Sequence, residues 1–314
     1  MLAYIAKRTA LVVPIIFAVA FVCFLLVHIA PGDPLISVLP PDASAELAAQ
    51  IKAAYGFDRP LPVQFGLWLW HAAQGNLGNS IATGRPVIEE VARAVSNTVI
   101  LAAVAASIGF AFGLLFGFLA GYYQHSWVDR LVSVIAIEGV SMPHYWLGMV
   151  LVIVFAVQLN WLPAIYSAPE GAGWNWEYIR NLILPAITMS VISMGIVMRT
   201  IRALVGDILS SEFVTALRAK GLTKGRVFVH VIKNAAPTAI AVMGLQLGYL
   251  LGGSILIETV FSWPGTGLLL NNAIFQRDLP LLQGTILVLA LFFVFLNLLV
   301  DVVQVAIDPR IKRS

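Results

Sequence analysis

Long apolar runs, separated by short charged segments, dominate the chain, and their length is its first constraint. A bilayer core about 30 Å thick is crossed by roughly 20 apolar helical residues. Thr9–Ala30 carries no formal charge, and neither does Ala94–Val128. A third run continues from Leu131 to about Leu159, interrupted by Glu138. A fourth lies between Arg180 and Arg199, a fifth between Lys233 and Glu258, and a sixth between Asp278 and Asp301. The pattern predicts six spanning helices, over about 9–30, 96–123, 131–159, 181–205, 235–258 and 279–303. Alternating apolar segments of about ten residues, the mark of a membrane barrel, are absent. The predicted fold class is an all-α integral membrane protein. The first run follows Lys7 and Arg8 as a signal peptide would, but it is too long and ends in no A-x-A-like site, so it is expected to be a retained helix.

Composition agrees. Of 314 residues, 60% are hydrophobic and only 11% are charged. Soluble domains carry about 25% charged residues, so this chain lacks the polar surface to solvate a globule. A mean hydropathy of +0.89 points the same way. Soluble enzymes, disordered chains and nucleic-acid-binding domains are excluded. The formal charge of +3 matters less than where the cations sit. With the N-terminus in the cytoplasm, thirteen of the nineteen Lys and Arg residues fall inside, among them Arg199, Arg202, Arg218, Lys220, Lys224, Arg226 and Lys233. The positive-inside bias therefore predicts that both termini are cytoplasmic.

The loops are unequal. The outer segment 31–95 holds an amphipathic stretch at Ala45–Ala54 and an aromatic one at Phe65–Trp70, and a second outer loop carries Trp161, Trp174 and Trp176. Each is either a packed outer cap or a docking surface for a soluble partner. No G-x-x-x-x-G-K-[ST] occurs, because no Lys follows a Gly, and H-E-x-x-H, C-x-x-C and G-x-S-x-G are absent too. The single cysteine, Cys23, is expected to be a packing residue, and the five histidines form no ligand cluster. Glu138, Glu258 and Asp301 are carboxylates near span ends, where a charge costs less than at mid-depth. Ser107, Ser190, Ser193 and Gln246 either line a pathway or bond between helices; the sequence does not choose.

The inner loop 206–234 is the most informative segment. Ser211-Glu212 suits a helix start, with a hydroxyl to cap free N–H groups and a carboxylate at the positive dipole end. Gly221 supplies a left-handed stop, and Thr223 is placed to cap a second short helix through Arg226, Phe228 and Ile232, ahead of Pro237. Ala216 and Ala219 permit close approach to another surface, with Phe213 and Leu217 as larger anchors. The first helix is either an amphipathic loop helix lying on the membrane or one that docks into a soluble cytoplasmic partner and transmits its movement.

These residues carry a resemblance. Thr215–Gly221, with Val231, Ile232, Asn234 and Pro237, resembles the EAA loop of permease subunits in ABC importers, although Thr215-Ala216-Leu217 stands where that motif has Glu-Ala-Ala. Glu212-Phe213-Val214, Arg218–Leu222, His230 and Lys233-Asn234-Ala235 are similar to the dipeptide, oligopeptide and nickel branch, of the first-permease, dipeptide permease B-like type. Ala30–Pro34, Ser141-Met142-Pro143, Trp263-Pro264-Gly265 and Asp308-Pro309-Arg310 extend the likeness along nearly the whole chain. It implies a type I ABC importer permease in a bacterial inner membrane that forms half of a pathway for dipeptides, oligopeptides or glutathione-like peptides. Expected partners are a second homologous permease, two ATPase subunits, an extracytoplasmic binding protein and membrane lipid. ATP and Mg would then be held on the ATPases, with no cofactor on this chain. The residues expected to engage an ATPase are Glu212, Phe213, Thr215, Ala216, Leu217, Arg218, Ala219, Lys220 and Gly221. The competing expectation, an ion-gradient-driven transporter, needs membrane-depth carboxylates and usually an inverted repeat, and neither is evident.

Overall fold

The computed structural model describes residues 13–25, 44, 46, 59–168 and 174–307. Among these the chain is helical: α1 (Val13–Leu25), α2 (Leu61–Ala73), α3 (Val87–Tyr122), α4 (Trp127–Ser141), α5 (His144–Leu151), α6 (Trp176–Ser210), α7 (Glu212–Ala219), α8 (Lys224–Val260), α9 (Thr266–Phe275) and α10 (Leu279–Ile307). Segments of α3, α6, α8 and α10 are each long and apolar enough to cross a membrane. The Ala30–Pro34 and Asp308–Arg310 motifs, and the Ala45–Ala54 stretch apart from Glu46, lie outside the described residues.

The third apolar run, read above as one span over 131–159, is divided in two. α4 and the helix that follows it meet at an angle of 102°. Proline disfavours the helical region for the residue before it. Met142 is accordingly extended (φ −76°, ψ 132°), and α5 restarts directly after Pro143. Beyond Leu151 the helix widens into a π-helical turn, Val152–Gln158. Further along, Pro185 and Pro237 sit inside α6 and α8 without ending them. The second short helix expected after Thr223 is thus the first part of α8, continuous through Pro237. A mid-helix proline removes one donor, a loss that membrane helices tolerate when neighbouring groups re-satisfy the freed carbonyl.

The chain forms two compact units, 1–97 with 264–298 and 98–263 with 299–314. In the first, Ala20, Leu77, Val87, Val91, Ala273, Leu281 and Leu287 form the buried core. Phe65 of α2 takes edge-on contacts from Phe17, Phe21 and Phe24 of α1 at 5.3–5.6 Å between ring centroids, geometry that adds to the burial itself. The aromatic stretch therefore packs as a cap over α1 on one side, while Trp70 is left 64% exposed on the other. Asp278, fully buried, closes this unit. Its carboxylate accepts from Ser80 Oγ (2.5 Å) and from the N–H groups of Ala82 and Leu281 (3.1 Å each), so it ties the 78–86 loop to the start of α10.

In the second unit, one cluster gathers around Trp263, which is wholly buried and meets Tyr166 and Tyr178 at 5.2 and 5.6 Å. α3 and α6 approach closely. Gly109, Gly113, Gly117 and Gly121 recur every four residues along one stripe of α3. A methyl built on Gly109, Gly117 or Gly121 would come within 2.7–2.9 Å of the backbone carbonyl oxygens of Ser190, Met198 and Arg202 on α6. Between helices in lipid there is no hydrophobic drive, and small residues that let backbones touch supply the attraction instead. Gly195 of α6 repeats the device against α4, where its Cβ would lie 2.8 Å from Ala136 O.

Candidate functional site

The loop between α6 and α8 folds as expected in outline and differs in its caps. α7 begins after Ser211, but the Ser211 hydroxyl donates backward to Ile208 O (2.6 Å) and caps no N–H of α7. The Ser211 carbonyl instead accepts from Val214 N–H and Thr215 N–H (3.1 and 3.3 Å). Thr223 likewise offers its carbonyl, not its hydroxyl, to α8. The C-terminus of α7 is a Schellman turn. Gly221 is left-handed (φ 76°), its N–H donates to Arg218 O (2.9 Å), and Leu222 N–H donates to Leu217 O (3.2 Å). Leu217 and Leu222, the two ends of that longer bond, both pack on the core beneath.

α7 therefore has two unlike sides. Val214 is fully buried in a cluster with Val197, Ile201 and Val205 of α6 and Val227, Val231 and Ala239 of α8. Burying such a side chain stabilises by about 1.5–3 kcal/mol, enough to bind a two-turn helix to the helices it joins. At 100° per residue, Glu212, Phe213, Thr215, Ala216, Ala219 and Lys220 occupy the opposite arc, and all six are exposed. Arg218 and Gly221 are exposed beside them, whereas Leu217, read above as an outward anchor, is turned toward the core. Phe213, 44% exposed, rests edge-on against His230 with centroids 6.2 Å apart. The outward face thus presents two alanines, a mixed pair of charges and, at its edge, one aromatic ring, on a helix whose other side joins two long helices.

One strong interaction nearby was not foreseen from the sequence. Arg202 of α6 grips Asp129 in the first turn of α4 with two nitrogens: Nε donates to Oδ1, and Nη2 to Oδ2 at 2.9 Å. Asp129, 3% exposed, also accepts from His125 N–H (2.9 Å). The fork geometry suits Arg and excludes Lys. No local pattern marks this pair, because its members are 73 residues apart. Asp129 is more deeply buried than Arg202, whose side chain is 36% exposed, so removing the arginine leaves the costlier orphan. Arg202→Met is expected to lose about 2–3 kcal/mol, in the range of charged hydrogen bonds. Adding Asp129→Asn should recover at least half of that in the melting temperature of the detergent-purified protein. Fully additive losses would show that the two do not act as a unit.

The other sequence candidates separate. Glu138 is exposed beside the α4–α5 bend, and Glu258, near the end of α8, is fully buried and accepts from Thr98 Oγ1 (2.7 Å). The side chain of Asp301 lies outside the described residues. Ser107 and Ser190 donate to Ala103 O and Ile187 O of their own helices. Trp161, Trp174 and Trp176 are each more than 60% exposed.

Comparisons with known proteins accord with this geometry. Residues 113–313 match the family described as binding-protein-dependent transport system inner membrane component, and residues 1–102 match its N-terminal membrane component. The dipeptide transport system permease protein DppB of Alkalihalophilus pseudofirmus is 37% identical over 99% of this chain and 100% of its own length. The glutathione transport system permease protein GsiC of Escherichia coli K12 is 38% identical over 99% of each chain. In fold, the chain is similar to the inward-facing MetNI methionine ABC transporter, with a TM-score of 0.56 at 18% identity over 69% of this chain and 96% of that one. The long apolar helices and full-length matches above 30% identity converge: the chain belongs to the family of binding-protein-dependent transport system inner membrane components, a multi-pass permease of the ABC importers of the bacterial inner membrane.

Proposed function

We propose that this chain is one of two homologous permease subunits of an ATP-driven peptide importer, and that α7 is the part its ATPase holds. The observation that carries this is the two-sidedness of α7. Val214 fixes one side to α6 and α8, so displacement of α7 from outside is passed to both, while Phe213, Ala216 and Ala219 leave the other side free for a partner's groove. A ligand that favours one state of the ATPase pair then biases the permease between two arrangements. In this reading the chain crosses the membrane six times, over the spans given above. Segment 31–95 lies outside to meet a binding protein, 206–234 lies inside, and both termini are cytoplasmic. ATP and Mg are held on the ATPase subunits, and this chain does no chemistry. The names of its DppB and GsiC relatives support dipeptides or glutathione-like peptides as cargo.

The test is co-expression with the products of adjacent reading frames, followed by purification through this chain. An ATPase pair should co-purify, and Ala216→Trp, which places a bulky ring on the bare arc, should reduce its recovery at least tenfold at unchanged membrane content. Parental recovery with Ala216→Trp would overturn the assignment of α7. Uptake into ATP-free vesicles under an imposed proton or sodium gradient would overturn the importer class itself.

A further inference from the structure

Glu138 combines depth, exposure and the lack of a partner. Its side chain is exposed, and its carboxylate makes no hydrogen bond or ion pair to another described residue. The sequence places it near a span end, but the packing of α4 sets it deeper. Ala136 and Gly139, on either side of it, lie against Gly195 and Val191 of α6: a Cβ on Gly195 would be 2.8 Å from Ala136 O, and one on Gly139 would be 3.0 Å from Val191 Cγ1. Residues 191–195 are the middle of the expected span 181–205, so Glu138 is a charge at mid-depth. A carboxylate there is too costly to face lipid, and such residues turn toward a water-filled path or a protein partner.

The surroundings of Glu138 narrow what it meets. It lines a cavity of about 510 Å³ at the α4–α5 bend, together with Ser141 and the exposed rings of Tyr145 and Trp146. No Lys or Arg lines this cavity. The end of α4 and the start of α5 meet here, and their dipoles, about half a charge each and opposite in sign, offset one another. The full charge of Glu138 therefore sets the sign, and the occupant is a cation. A bare metal ion takes about six oxygen ligands, and no group of three His, Cys, Asp or Glu among the described residues could hold one. Aromatic faces instead attract an organic ammonium within roughly 6 Å, and the Ser141 hydroxyl is a further acceptor for its N–H groups. The volume falls within the roughly 300–1,000 Å³ of small-molecule sites, which is room for the first residue of a peptide with its side chain. We propose that this cavity reads the N-terminal ammonium of the peptide on the transport path, with Glu138 as the counter-charge and Tyr145 and Trp146 as cation-binding walls. The proposal rests on the peptide-importer reading above and adds which end of the peptide the permease recognises. Every unblocked peptide carries this group whatever its side chains, so the permease admits many sequences and refuses solutes that lack it.

The experiment uses the complex of permeases and ATPases, purified in detergent without the binding protein, so that the permease's own preference is read. Equilibrium dialysis at millimolar ligand compares radiolabelled alanyl-leucine with propionyl-leucine, the same molecule without its amino group. The parent should bind alanyl-leucine at least tenfold more tightly, and Glu138→Gln should shrink that ratio at least fivefold at unchanged assembly. Glu138→Asp, which keeps the charge, should retain more of the preference than Glu138→Gln. Should Glu138→Gln fail to assemble, Trp146→Leu, which removes an exposed ring, should lower the same ratio at least threefold. Equal affinity of the parent for the two ligands, no binding of alanyl-leucine, or an unchanged ratio in the assembled variants overturns the subsite and leaves the importer reading standing. Loss of the second permease from the Glu138→Gln complex, with the ratio unchanged in Trp146→Leu, makes the carboxylate an ion-pair partner of that subunit and overturns the subsite too. A whole importer that takes up no peptide in proteoliposomes overturns the peptide reading, and the subsite with it.

Discussion

Replacing Gly117 with leucine is expected to remove most of the folded protein. The first added carbon alone would lie 2.7 Å from Met198 O and 3.0 Å from both Met198 Cα and Ile201 Cβ. Two of those three atoms belong to the backbone, so no rotamer change on α6 relieves the clash, and the helices themselves must part. Overpacking costs roughly 1–3 kcal/mol where side chains can yield and more where they cannot. Here the loss should exceed 3 kcal/mol, because parting α3 from α6 also withdraws the contacts at Gly113 and Gly121. The measurement is the monodisperse fraction after detergent extraction, with Gly66→Ala as the control. Nothing lies within 4 Å of a methyl at Gly66, on the exposed side of α2, so that variant should be neutral or gain up to about 1 kcal/mol from helix propensity. Parental yield of Gly117→Leu would mean that α3 and α6 do not pack as described.

The second large effect is functional. Gly221→Pro should leave membrane content unchanged and reduce ATP-dependent uptake at least thirtyfold. Proline holds φ near −65° and has no N–H, whereas Gly221 sits at φ 76° and donates to Arg218 O. The ring also pushes the preceding residue toward extended backbone, away from the conformation of Lys220 (φ −77°, ψ 6°) that closes α7. With the turn gone, Leu222 N–H cannot reach Leu217 O, and α7 loses its fixed angle to α8. Gly221→Ala separates the two causes. A methyl at this position meets nothing within 4 Å, so only the left-handed backbone is penalised, by roughly 1–2 kcal/mol, and uptake should fall by less than tenfold. Uptake by Gly221→Pro within twofold of the parent would show that the geometry of α7 is not what couples the importer.

Both sites had signals in the sequence, of different visibility. Gly221 follows a run of helix formers and precedes Leu-Thr, so its role as a helix stop is local and is legible from the residues around it. The four-residue spacing of Gly109, Gly113, Gly117 and Gly121 is equally present, but it says only that α3 has a small-residue face. That α6 meets this face at backbone distance is a fact about two segments far apart in the chain. Met142-Pro143 marks a break within the third apolar run, while the 102° turn that results depends on what each half packs against. The carboxylates invert the order of interest. Of those chosen for their depth in the sequence, Glu138 is exposed and Glu258 is buried, and the pair that forms, Asp129 with Arg202, joins two residues that look like ordinary loop-side charges.

Membrane residence, helical class and the bounds of the short helix α7 are set by the sequence alone, since hydropathy, period and turn residues act over a few neighbours and need no partner. Which face of α7 is exposed, which serine is satisfied within its own helix and which carboxylate a distant arginine grips were decided only by tertiary packing. Burial and hydrogen-bond satisfaction depend on the atoms that arrive from other helices, and no stretch of twenty residues contains that information.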